Sequence, residues 1–370
     1  MEDLFFTKIF IMIFYLLIGI SLLLLVFSYF YYIFNRLFSK YFTSVYSSNN
    51  SLKKKLMLYP YFPTFFLPCA LSQLIYFLLF PPIKKSYKRE YLKTTTKDTI
   101  SVDWVLPIPQ KSQFILIIHG ATGGSETRYL KSLVQFIKSK NDFKIAIAHY
   151  RGVNDTPLST CTPYHPEIIE DTEFIINHFL NIEVKKFIII GISMGGNIVS
   201  RILSHNPKKY EKGILGFISI SNPFFYASLD AKNRFNLLDK FILWRYKFTA
   251  KKHEIIRANT KIHLESSLKT NTTHVWDQEF NMKLSYYKDY KDVYEYWINV
   301  SSGFNINKIQ VPTLFINSLQ DKLNCAEMID SEKLCKENKN LNFIKTSHGG
   351  HVSWAEGFNP KRVRNYLIFL

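Results

Sequence analysis

Glycine is scarce in this 370-residue chain, at 14, and cysteine is scarcer, at four. Cys69, Cys161, Cys325 and Cys335 form no CxxC pair and no regular framework. They give neither a zinc knuckle nor a disulfide scaffold to read, and a reducing compartment suits them. Acids are short as well: 29 Asp and Glu stand against 47 Lys and Arg, a formal charge of +18. That excess invites a nucleic-acid partner, yet no helix-turn-helix pattern, zinc ligand set or aromatic RNA-binding motif accompanies it. No nucleic acid is therefore expected. An anionic membrane face fits better, because basic clusters flank apolar segments; simple solvation of the surface by lysine explains the charge equally well. With 47% hydrophobic residues, the chain as a whole does not read as disordered.

Charge itself is missing from Ile9 to Asn35, a run containing IFIMIFYLLIGISLLLLVFSYFYYIF. A membrane-spanning helix needs roughly 20 apolar residues. The run is too long for the apolar core of a signal peptide, and no small-residue cleavage site follows. Residues 1–40 are thus expected to form an uncleaved transmembrane anchor, with a buried soluble helix as the competing reading. Glu2, Asp3 and Lys8 precede the run, whereas Arg36, Lys40 and Lys53-Lys54-Lys55 follow it. The positive-inside rule then puts the remainder of the chain in the cytosol, leaving the organelle open.

A second uncharged stretch, Leu56 to Ile83, is broken by Pro60, Pro63 and Pro68 and closed by Pro81-Pro82. Those prolines rule against a second span. Within a membrane-proximal hydrophobic segment, 41–95, it reads either as an interfacial element or as a strip packed on the globular core.

From Lys84-Lys85 onward, short β-branched runs alternate with helical stretches. Strands are expected at Thr99–Leu106, Phe114–His119, Lys144–His149, Phe187–Ile190, Gly216–Ser221, Thr313–Asn317 and Leu341–Thr346. Helices are expected at Arg128–Lys140, Glu167–Phe179, Gly195–His205 and Glu327–Lys336. The alternation predicts an α/β domain over 96–370, a mostly parallel sheet with helices on both faces. One interval, about 222–308, has no clean strand and is too long for a loop, so a helical lid insertion is expected there.

Scarce glycine makes GISMGGN, Gly191 to Asn197, conspicuous. It follows the run KKFIII and opens a helix. A serine on a sharp strand-to-helix turn needs small neighbours, and Gly191, Gly195 and Gly196 supply them. Ser193 is the candidate nucleophile. Its base and orienting acid should follow it in the order acid, then His. VPTLFINSLQDKLN offers Asp321 on the loop after a strand, with Asp330 as a rival inside an expected helix. LNFIKTSHGGHVSW offers His351, behind Gly349-Gly350, with His348 as the runner-up. An oxyanion needs two N–H donors: Met194, next to the nucleophile, and Ala121 in the turn of FILIIHGATGGSE. His119 in that turn has a positional role. The P-loop lysine is missing, which counts against phosphate binding at GATGGS.

These residues carry a resemblance. HGATGGSETRYL is similar to the HGxTGGSxxxYI signature of the membrane-anchored α/β-hydrolase subfamily that contains phospholipases, acylglycerol lipases and medium-chain ester synthases. HYRGVNDTPLST, GISMGGN, NSLQD and HGGHVSWAEG extend it, over roughly residues 56 to 360. The subfamily's nucleophile, acid and base carry over to Ser193, Asp321 and His351. Three features depart from its pattern: Gln320-Asp321 replaces paired acids, Leu71-Ser72-Gln73-Leu74 replaces His-x-Gln-Thr, and Ala227–Thr273 has little counterpart. The resemblance implies an α/β-hydrolase fold and a serine hydrolase acting on lipid acyl esters through an acyl-enzyme. Resolution of the acyl-enzyme by an alcohol rather than water, a small-ester esterase and a non-catalytic scaffold are the alternatives. Nothing in this chemistry calls for a metal or an organic cofactor.

Overall fold

In the computed structural model, the described residues are 2–38, 43–57, 61, 67, 72–73, 86–95, 98–109, 113–121, 123–140, 142–182, 186–228, 237–258, 264–285 and 289–354. The first helix, Glu2–Phe38, contains 22 residues, Ile9–Phe30, that are long and apolar enough to cross a membrane. At 1.5 Å per residue this stretch extends about 33 Å, against a hydrocarbon core of about 30 Å. Its side chains are exposed, Phe10 at 73% and Phe27 at 70%.

Nine strands follow among the described residues: β1 Thr43–Ser47, β2 Tyr87–Lys93, β3 Thr99–Val105, β4 Phe114–Ile118, β5 Lys144–His149, β6 Phe187–Ile192, β7 Ile214–Ile220, β8 Thr313–Ser318 and β9 Leu341–Thr346. They make one sheet in the order β1-β9-β8-β7-β6-β4-β5-β3-β2. The six strands from β5 to β9 in that order are parallel, and β3, β2 and β1 are antiparallel to their inner neighbours. The central strands FILII and FIIIGI are buried along their whole length. Both faces of a parallel sheet are covered, so its strands read as unbroken apolar runs.

Period-two alternation divides those runs between two cores. Phe114, Leu116 and Ile118 face a layer with Ile175 and Phe179 of helix Glu170–Asn181 and Ile198 and Ile202 of helix Met194–His205. Ile115 and Ile117 face the opposite layer, against Leu130, Leu133 and Val134 of helix Arg128–Lys140. The expected sheet with helices on both faces is observed.

Two differences have physical reasons. The sheet takes in β1 and β2, both from 41–95, so the globular unit starts before residue 96. TSVYS is short, and YKREYLK alternates half-buried and exposed residues along an edge, so neither offers an apolar run. Charged residues along β2 also protect that edge from pairing with other chains. The helix expected from Glu327 starts at Ser331, because Asp330 caps it, its carboxylate accepting from the Lys333 N–H at 3.0 Å. Most of 58–85, with the expected interfacial element, lies outside the described residues. Tyr61, Leu67 and Gln73 are described and buried there, and Gln73 Nε2 donates to the Leu67 carbonyl at 3.1 Å.

Between β7 and β8 the described residues contain no strand. They form helices Leu237–Lys252, Glu254–Arg257, Leu264–Leu268, Thr273–Trp276 and Val293–Val300. Their own apolar clusters centre on Trp276 with Phe280, stacked at 4.3 Å, and on Tyr296 with Trp297.

Candidate active site

Ser193 sits between β6 and helix Met194–His205 with φ 52° and ψ −122°. Such a conformation is uncommon for a residue with a Cβ and exposes the side chain at the apex of the turn. The three glycines around it are required by contact. A Cβ on Gly191 would lie 2.7 Å from the Gly196 Cα, one on Gly195 would lie 2.4 Å from the Ile118 carbonyl oxygen, and one on Gly196 would meet the Ser219 hydroxyl. The backbone N–H of Ser193 donates to the Ile220 carbonyl at 2.8 Å, tying the turn to the end of β7.

The other two residues arrive from the ends of β8 and β9. His351 Nε2 is 2.8 Å from Ser193 Oγ, and His351 Nδ1 is 2.8 Å from Asp321 Oδ2. Because a carboxylate only accepts, Nδ1 carries the proton and Nε2 is left to accept from the serine. The Asp321 side chain is fully buried and also accepts from the Leu323 N–H at 3.0 Å and Asn324 Nδ2 at 3.1 Å. The histidine loop folds back on itself through the Gly350 N–H to the Ser353 carbonyl, with Gly349 at φ 117° against Trp354. His348 bonds instead to Ser347 Oγ at 2.9 Å, and Asp330 caps a helix, so neither alternative joins the serine.

The loop after β4 passes directly over Ser193: a Cβ on Gly120 would lie 3.1 Å from that of Ser193. Ala121 and Met194 border the same cleft as Ser193 and His351. As the first residue of its helix, Met194 has an N–H with no intrahelical acceptor. Tyr164 donates to the Ala121 carbonyl, and its ring stacks on Tyr150, which in turn donates to the His119 carbonyl at 2.8 Å.

Beyond the positional role expected of His119, sequence reasoning missed what holds this loop from behind. His119 donates from Nδ1 to the Gly120 carbonyl, and its ring packs 5.3 Å from His149. Burial, with His149 nearby, pushes His119 down to about 3, so it is a neutral prop. His149 bonds to Asp103, which also takes a bidentate pair from Arg89 and the Ser125 hydroxyl. Burial pushes the Asp103 carboxyl up, but Arg89, His149 and Ser125 outweigh it and hold it well below the carboxylate range. A second buried centre lies beneath HYRG: Arg151 bridges Asp98 at 2.5 Å and Asp171 at 2.5 and 2.7 Å. The only signal for either network is polar residues inside otherwise apolar strands, SVDWV and KIAIAH, together with the motif HYRG.

Above the serine lies a cleft of about 770 Å³ when its space open to solvent is included. Its walls come largely from the excursion between β7 and β8, with Ile242, Tyr246 and Trp297 among them. Two carboxyls, Asp239 and Asp277, border it. Among the described residues, no group of three His, Cys, Asp or Glu is placed to hold a metal ion.

A parallel sheet with a strained serine at the end of a central strand, backed by a histidine and an acid from later strands, defines an ester hydrolase of the serine type. The chain belongs to the α/β-hydrolase fold family, whose model matches residues 113–358. It is 24% identical to Phospholipase ABHD3 of Bos taurus over 286 residues, 75% of this chain and 68% of that one. It is 27% identical to the Monoacylglycerol lipase of Saccharomyces cerevisiae, covering 67% of this chain and 56% of that one. These relatives fall in the phospholipase and acylglycerol lipase group that the motifs resemble. Among solved structures, a Pyrococcus furiosus esterase overlaps 72% of this chain and 85% of its own, at 15% identity and a TM-score of 0.46.

Proposed function

We propose that this protein is a membrane-anchored hydrolase that cleaves acyl esters of lipids through Ser193, Asp321 and His351. The observation that carries the reading is the unbroken relay from Asp321 through His351 to Ser193, two contacts of 2.8 Å at the base of a largely apolar cleft. Ser193 Oγ attacks the ester carbonyl carbon as His351 Nε2 takes its proton. Asp321 holds the tautomer and stabilises the imidazolium. The N–H groups of Ala121 and Met194 receive the developing oxyanion. When the carbonyl re-forms, the bond to the alcohol breaks and His351 returns the proton to the departing oxygen. Water, deprotonated by the same imidazole, then splits the acyl-serine.

Lipid as the substrate class is supported by the apolar cleft, by the relatives' activities as phospholipase and monoacylglycerol lipase, and by the spanning-length helix Ile9–Phe30. Held at a bilayer, the enzyme meets its substrate at high local concentration. The basic flank Arg36, Lys40 and Lys53-Lys54-Lys55 supports a cytosolic catalytic domain. The helical excursion between β7 and β8 serves as the cap that shapes the acyl site.

The test is labelling of detergent-solubilised full chain by a fluorophosphonate probe, wild type against Ser193→Ala. Labelling confined to the wild type is expected. Equal labelling of both would move the nucleophile elsewhere, and folded protein that labels in neither form would overturn the catalytic reading.

A further inference from the structure

The cap helix Leu237–Lys252 has two dissimilar faces. Ile242 and Tyr246 line the cleft above Ser193, while Leu243 and Ala250 are buried in the cap's own core. The outer face carries Trp244 and Phe248, 55% and 52% exposed, with Phe241 completing an aromatic ridge at ring separations of 5.9 and 6.1 Å. Exposed positions 240, 244, 248, 251 and 252 fall at intervals that keep them on one side of a helix. Lys240 stands at one end of the ridge, Lys251 and Lys252 at the other, and Arg245 lies over the Trp244 and Phe248 rings. Against these cations and Lys247, the helix has one acid, Asp239, which is buried.

We infer that this outer face docks on the surface of an anionic bilayer, the aromatic rings entering the headgroup boundary and the lysines meeting lipid phosphates. Large aromatics beside lysines and arginine make the side-chain set of an interfacial helix. The lysines match the sign of an anionic membrane surface. The inference rests on the membrane-anchored reading for the nearness of the bilayer. It adds a second contact, set on the cap itself. A helix is about 10 Å across, so a bilayer touching the ridge lies one helix diameter from the cleft wall.

The chain has a built-in probe. Of its five tryptophans, Trp104, Trp276, Trp297 and Trp354 are buried and Trp244 alone is exposed. Full-length protein is reconstituted in vesicles of mixed phosphatidylcholine and phosphatidylserine containing brominated acyl chains, and its emission is compared with that of Trp244→Phe. The expected result is a quenched fraction in the wild type that disappears in Trp244→Phe. Replacing phosphatidylserine by phosphatidylcholine throughout is expected to reduce that fraction at least twofold. Trp244→Ser/Phe248→Ser is expected to lower hydrolysis of vesicle lipid at least fivefold while leaving hydrolysis of a short soluble ester within twofold. Protein that floats with vesicles but shows no Trp244-dependent quenching overturns the docking face, whether or not the double variant loses activity on vesicle lipid. Protein that does not float with vesicles overturns the anchor, a separate failure.

Discussion

Val352 donates its backbone N–H to the Ser221 hydroxyl across 3.0 Å, and both residues hold a positive φ, 56° and 51°. A β-branched residue adopts that region rarely, so the chain beside His351 is strained and needs an external restraint. Ser221 directly follows β7, whose neighbour β6 delivers Ser193, so this hydrogen bond helps to fix His351 relative to Ser193. Ser221→Ala is expected to leave the Val352 N–H unpaired and loosen the imidazole. kcat should fall about tenfold or more with little change in KM, since small misplacements of reacting groups have large kinetic effects. Fluorophosphonate labelling should slow in parallel. Wild-type kinetics in the variant would show that the loop holds its histidine by other means.

The turn around the serine permits a sharper contrast between two glycines. A Cβ on Gly195 would be driven into the Ile118 and His119 carbonyl oxygens at 2.4 and 2.6 Å, both backbone, so only a shift of the loop after β4 could admit it. A Cβ on Gly216 would meet nothing closer than the Pro312 carbonyl at 3.5 Å. Gly195→Ala is expected to reduce kcat about a hundredfold or more, the size associated with losing an oxyanion donor. Gly216→Ala should leave turnover unchanged and stability within about 0.5 kcal/mol. Steady-state kinetics and thermal unfolding of the two variants, side by side, check it.

The sequence announced the elements whose signal is local. FILII and KKFIII are apolar because both sheet faces are covered, and GISMGGN is glycine-rich because the turn allows no Cβ. Asp321 and His351, which the structure brings to Ser193, were readable as candidates from their place after late strands. β1 and β2 were not, because an edge strand needs no apolar run, and TSVYS and YKREYLK contain none. The Asp103–His149–Arg89 and Asp98–Arg151–Asp171 networks were also hidden. Each joins residues far apart in the chain, and a lone polar residue in a strand does not name its partner.

Arg151 makes that second network testable. Its guanidinium is buried between Asp98 and Asp171, and Asp98 also accepts from the Ser159 and Thr160 N–H groups at 2.9 and 3.1 Å. Removing the cation alone leaves two carboxylates in a dry interior, which typically costs about 3–5 kcal/mol. Arg151→Met should show that loss in denaturant unfolding. Adding Asp98→Asn and Asp171→Asn should recover most of it, because the stranded charges are gone. A triple variant no more stable than the single one would mean that the bonds, and not the charges, hold HYRG in place.

Asp277, in the cap wall of the cleft, gives the protein a pH-dependent weakness. It is buried, and burial raises its carboxyl from 3.8 to about 7, against the bonds from Trp297 Nε1 at 2.8 Å and Asn281 Nδ2 at 2.7 Å, with Asp239 adding to the rise. The folded chain therefore holds a proton that the unfolded chain releases at ordinary carboxyl values. Between about pH 4 and pH 7 the native state binds more protons than the unfolded one, so stability must fall as pH rises through that window. The full difference is on the order of 4 kcal/mol, present below pH 4 and lost above pH 7. Asp277→Asn carries no charge at any pH but cannot accept both bonds, losing about 1 kcal/mol. The stability curves should cross: the variant weaker than wild type at pH 4.5, stronger at pH 8.5. Denaturant unfolding of the full chain in detergent at the two values decides it, and parallel curves would mean that Asp277 stays ionised inside the cap.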